Sequence, residues 1–168
     1  MSVFHESVHM NGILISPDHD NRCALVQSVD VLPGEDGDFD LKFVYKLLGC
    51  DLVQILDVDQ ASALAGHSAV LDEEGCLKPA RGYLLIPQLY PLPLAGKVLL
   101  LGLDSCEGDM IDAQVGEEVV RGLVAGAWCD PRKAYELTKQ HEDQIAAAYP
   151  GVIVVRTSES IAANIPRD

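Results

Sequence analysis

Three groups of residues in this sequence could do chemistry: a histidine pair, five cysteines and several knots of carboxylates. The pair lies in His5-Glu6-Ser7-Val8-His9, which matches the H-E-x-x-H pattern of zinc peptidases. That chemistry needs two imidazoles on one face of a rigid helix, a third ligand, and room for substrate beside the glutamate. Here Asn11-Gly12 follows within two residues and no third ligand is recognisable. The segment therefore reads as a solvated N-terminal stretch, and no metal is assigned to it. Cys23, Cys50, Cys76, Cys106 and Cys129 are widely spaced, odd in number and never form Cys-x-x-Cys, so they suggest reduced, buried thiols rather than a disulfide framework or zinc knuckle. A nucleophilic cysteine would need a base beside it, and no local signature links any cysteine to His67 or His141. No catalytic residue and no cofactor are assigned.

The carboxylates carry more information. Asp72-Glu73-Glu74-Gly75 reads as the acidic tip of a hairpin, and Asp104-Ser105-Cys106-Glu107-Gly108-Asp109, with Asp112 soon after, follows the most apolar run of the chain. Acids gathered after a buried strand suit a cation or a basic side chain, or else solvate a turn that leads to a helix N-terminus. Pro33 to Asp38 is also acidic but lacks the ligand register of a calcium loop. Twenty-six acidic residues against twelve basic ones give a formal charge of -14, which opposes binding to nucleic acid or anionic membrane and favours a protein with a basic surface. Asp72, Glu73, Glu74, Asp104, Glu107, Asp109 and Asp112 are accordingly the candidate partner-binding residues. A small-molecule or nucleotide site on the loops after Asp57 and Asp104 is the alternative. It has no glycine-rich phosphate loop, and only Lys78, Arg81 and Lys97 as nearby bases. An enzyme of unassigned reaction is the second alternative.

The elements that would position these residues follow from periodicity. Phe39, Phe43 and Leu47, widened by Leu41, Val44 and Leu48, form the stripe of a helix buried on one side, with Asp38 or Asp40 as cap and Gly49 as stop. Cys50 to Val58 then predicts a strand covered on much of both faces, with the helix packed back on its sheet. Ile13-Leu14-Ile15, ended by Pro17, and Arg22 to Leu32 predict an antiparallel hairpin. His67–Leu71 and Cys76–Leu77 predict another. Pro87, Pro91 and Pro93 forbid regular structure and make a shaped loop that exposes Tyr90 and Leu92. Val98-Leu99-Leu100-Leu101 predicts a central strand. Gly116 to Trp128 predicts a helix, and Asp130-Pro131 starts another that Pro150-Gly151 ends. The polar middle of that last helix, Thr138 to Gln144, predicts an outward position. Val152 to Val155 predicts a short final strand before a fraying tail.

These elements describe an α+β fold: a small mixed or mostly antiparallel sheet with helices packed on it. At 168 residues, 48% of them hydrophobic, the chain can bury the core of one domain, read as residues 9–126 plus a helix and strand extension over 127–157. Aromatic residues are only 5%, so aliphatic side chains must fill that core. Neither a leader peptide nor a membrane-spanning run is recognisable, which predicts a soluble cytoplasmic protein.

In order and spacing, Ile13-Leu14-Ile15, the block Leu41 to Val58, Val70 to Lys78 and Gly96-Lys97-Val98-Leu99-Leu100-Leu101-Gly102 resemble the bacterial, plasmid and phage family catalogued as domain of unknown function 3846. The resemblance spans about residues 9–126 and departs from the family pattern around Pro79 to Arg81. It implies a small α+β fold and residence on mobile genetic elements, and it brings no catalytic residues. Together with the charge, it makes the expected function that of a non-enzymatic accessory protein that binds, and antagonises, a host defence or nucleic-acid-binding protein.

Overall fold

The apolar run at residues 98–101 forms β6 (Val98–Leu103), the middle strand of the main sheet in the computed structural model, which describes residues 9–34, 39–104 and 106–167. On one side of β6 lies β1 (Met10–Asp18), with β2 (Cys23–Val31) beyond it. On the other lies β4 (His67–Asp72), with β3 (Val53–Asp57) at the far edge. The order is thus β2-β1-β6-β4-β3, and a two-residue strand, β7 (Met110–Ile111), returns onto β6. Every pairing is antiparallel. The described residues add four helices to this sheet, and the fold is α+β, as the sequence predicts.

Both faces of the sheet are covered at its central strands, which is why β6 reads as a continuous apolar run rather than an alternating one. Val98 and Leu100 join Ile13 and Ile15 in one core layer, which takes in the proline loop through Leu89 and Leu94 and α2 (Glu117–Leu123) through Val120. Leu99 and Leu101 join Leu14 in the opposite layer, closed by Val44 and Leu48 of α1 (Leu41–Leu48). Asp40 caps α1, its Oδ1 accepting from the Phe43 amide at 3.1 Å. Phe39 and Val44, both buried in that layer, occupy the positions of a hydrophobic staple. Gly49 ends the helix at φ 69°, a left-handed conformation that costs glycine little. Asp38, the other candidate cap, lies outside the described residues.

Several expectations need correction. The β1–β2 pairing continues through Pro17, which faces Ala24, to Asp18 and Cys23. Proline is tolerated there because pairing with β6 has already stopped at Ile15. β3 is not covered on both faces; it is an edge strand with Ile55 46% exposed. Cys76 and Leu77 do not return as a hairpin strand but sit in a single 3-10 turn, Gly75–Leu77. Instead β4 finds its partners in β3 and β6.

The C-terminal region also differs from expectation. β5 (Tyr83–Leu84) pairs with β8 (Trp128–Cys129), and Asp130 then caps α3 (Pro131–Ala148) by accepting from the Lys133 amide at 2.8 Å. The polar middle of α3 is outward only in part: Lys139, Gln140, Asp143 and Gln144 are exposed, but Thr138 and Glu142 are buried. Residues 152–156 form no strand and expose Val152, Ile153 and Val155 to solvent. The tail folds into α4 (Thr157–Ala162), which buries Ile161 beside Tyr83, Cys129 and Ala134. Glu142 is what α4 docks on. It accepts from the Ser158 amide at 3.0 Å, from the Ser158 hydroxyl, and from the Thr157 hydroxyl at 3.3 Å, so a carboxylate on one helix caps the N-terminus of the next.

Candidate functional site

Antiparallel register decides where each carboxylate lies. Leu71 of β4 faces Val98, and His67 faces Gly102, so Asp72 leaves the sheet at the start of β6 whereas Asp104 leaves it at the end. The six residues of β6 separate them, roughly 20 Å at 3.3 Å per residue. That exceeds twice the screening length of about 8 Å at physiological salt, so the two groups act as independent charges. The seven candidate residues therefore form two sites rather than one.

At the β6 start, Asp72 is absorbed by the fold. Its side chain is 11% exposed, one oxygen accepts from the Glu74 amide at 2.9 Å, and the other pairs with Lys78 Nζ at 2.7 Å. Glu73 and Glu74 beside it stay exposed. This end also carries His19, Arg22, Lys78, Arg81 and Lys97, so its field is mixed.

The β6 end differs in kind. Asp104 Oδ1 accepts from the Cys106 amide at 2.9 Å, and the Asp104 and Asp109 backbones close the turn with Asp104 N donating to Asp109 O at 2.9 Å. Asp112 Oδ1 accepts from the Asn11 amide at 2.8 Å, which ties this loop to the start of β1. In the loop between β6 and β7, Glu107 is exposed and Asp109 half-buried. Asp57 and Asp59 join them from the β3–β4 connection, and Asp30, opposite Asn11, from the end of β2. Residues 30–34, 39–40, 57–67, 104 and 106–118 converge at this end, and the sequence intervals 30–40, 57–67 and 104–118 contain no lysine or arginine.

His67 holds this end together. Its Nδ1 donates to Leu64 O at 3.0 Å, and its Nε2 accepts from the Gln114 amide at 3.0 Å. Both ring nitrogens thus pin backbone, which accounts for the burial of this histidine. Burial pushes the Cys50 and Cys76 thiols up and the Cys129 thiol to about 11, so these sulfurs favour the unreactive protonated form. Cys106 is exposed in the acidic turn. Apart from His9, the histidine-pair motif lies outside the described residues. Among the described residues no group of three or more His, Cys, Asp or Glu side chains is arranged to hold a metal ion. No helix of the described residues is long and apolar enough to cross a membrane.

Sequence reasoning missed Asp30 and Asp59, and it marked Asp57 only as the start of a loop for a small-molecule or nucleotide site. Their signal, long intervals free of Lys and Arg, was readable, but only the strand register brings those intervals together.

No protein-family model matches the chain, and no solved structure matches it. Among curated proteins, the uncharacterized protein y4iR of Sinorhizobium fredii is 32% identical over 88 residues, which are 52% of this chain and 48% of that protein. The chain spans about half the length of this relative.

Proposed function

We propose that the protein acts by binding, and that it presents the acidic end of its sheet to a basic surface on another protein. The observation that carries this reading is the convergence of three segments without a single Lys or Arg at the end of β6. Carboxylates fixed on short loops around a rigid sheet lose little freedom on binding, and a one-signed field speeds encounter with an oppositely charged surface. The resemblance to domain of unknown function 3846 supports a setting on phages or other mobile elements. The partner would then be a host defence or nucleic-acid-binding protein whose phosphate groove these carboxylates occupy.

The test is an anisotropy titration of the labelled chain against basic nucleic-acid-binding proteins in rising salt, with DNA as competitor. Affinity is expected to fall with salt, DNA to compete, and the triple change Asp104→Lys, Glu107→Lys, Asp109→Lys to abolish binding. Glu73→Lys with Glu74→Lys, at the other end of the sheet, is expected to leave it intact. Salt-insensitive binding, or equal loss from the two ends, would refute the assignment.

A further inference from the structure

The opposite end of the sheet holds a cleft of about 650 Å3, between the β1–β2 turn, the segment from Asp72 to Gly82, and the C-terminal tail. That volume is within the roughly 300–1,000 Å3 of small-molecule sites. Leu48, Pro79, Ala95 and Pro166 supply apolar wall, and the polar groups among them are largely hydrogen-bond donors. Lys78 and Arg81 enter from one side. His19 enters from the other and accepts from Trp128 Nε1 at 3.2 Å through its Nδ1, which leaves Nε2 to carry the ring proton. Asn164 holds the tail in place by donating to Tyr83 Oη at 2.7 Å.

Charge selects the ligand. Among the described lining residues, Lys78 and Arg81 against one carboxylate, Asp72, leave one unit of positive charge. Arg81 rests on Asp20 at 2.8 Å, but the two side chains are 70% and 81% exposed. Such a pair is worth little, so an arriving anion can displace Asp20. The guanidinium fork matches a carboxylate in two parallel hydrogen bonds. A phosphate monoester, which is close to a dianion at neutral pH, would bring its second charge toward Asp72. From this we infer that the cleft is a binding site for a small organic monocarboxylate with an apolar body, its head on Arg81 and its body against the Leu48–Pro79 wall.

The chain has one tryptophan, and it lies against the cleft: a Cβ placed on Gly82 would come within 2.5 Å of the Trp128 ring. Its emission therefore serves as the reporter. The full chain would be titrated with cyclohexanecarboxylate, its methyl ester and cyclohexyl phosphate, with saturation-transfer NMR on the same samples. A saturable response to the carboxylate is expected, at least about tenfold weaker for the ester and for the phosphate, and about tenfold weaker for the acid in Arg81→Gln, a side chain exposed enough for the variant to fold. Equal affinity for acid and ester, tighter binding of the phosphate, or undiminished binding by Arg81→Gln would overturn the inference. So would a carboxylate that gives neither an emission change nor saturation transfer.

Discussion

Replacing Glu142 tests most directly how the C-terminal region is held. The carboxylate is 4% exposed and takes three hydrogen bonds from the first residues of α4. The two from Ser158 are short and buried; the one from Thr157 is long, and Arg156 stands at 3.8 Å with its side chain 37% exposed. The last two therefore contribute little. A hydrogen bond to a charged group contributes about 1.5–3 kcal/mol, and Glu142→Ala would also leave the Ser158 amide and hydroxyl unpaired, so the loss should be about 3–5 kcal/mol. Glu142→Gln keeps one acceptor oxygen and the shape, and should lose about 1–2 kcal/mol. Detachment of α4 sets a ceiling, since the chain can release the helix rather than bear the whole penalty. Urea unfolding gives the totals, and hydrogen exchange over residues 157–163 gives the location. An alanine variant within about 0.5 kcal/mol of the parent, the range of ordinary surface substitutions, would refute the capping role. A full loss that left exchange at α4 unchanged would refute it equally.

Other expectations follow from single contacts. Asp40→Ala removes the cap of α1 and should cost about 1 kcal/mol in urea unfolding. Gly102→Ala would drive a Cβ into the backbone oxygen of Asp112 and close to Ile111. The β6–β7 pairing should open, at a cost of about 1–3 kcal/mol, with raised amide exchange at residues 110–114. Cys129 binds its proton more tightly folded than unfolded, with a pKa of about 11 against 9.0. Its contribution to stability is therefore full below pH 9 and lost as pH rises toward 11. Cys129→Ala should flatten that alkaline decline in a pH series of melting curves. In the native protein, thiol labelling should modify Cys106 first, while Cys50 and Cys129 wait for unfolding.

Local signals in the sequence were sufficient where one segment decides its own structure. The Asp40 cap, the Gly49 stop, the Asp130-Pro131 start and the β6 run are each written within a few residues. Distant partners were not legible. Thr138 to Gln144 is polar at every position, and nothing local says that Ser158, sixteen residues beyond Glu142, supplies the donors that let a carboxylate be buried. Leu52 to Val58 has the apolar density of an inner strand, yet among the described residues no strand comes to its open side, and Ile55 is left facing water. The candidate site divided in the same way. Asp104, Glu107, Asp109 and Asp112 could be recognised by type and clustering, but their distance from Asp72, Glu73 and Glu74 is set by which end of β6 each loop leaves.

The strand order also sets a timetable for synthesis. The β1–β2 and β3–β4 pairs can each form as soon as they emerge, since their partners are neighbours in the chain. Both wait for β6, which joins them and completes the two core layers. Ile13 meets Leu100 only after a further 87 residues have been made, which takes roughly 4–17 s at about 5–20 residues per second. Once β4 has been made and until β6 arrives, the growing chain displays two half-sheets with open edges, and a chain stopped between residues 72 and 98 would be prone to aggregate through them.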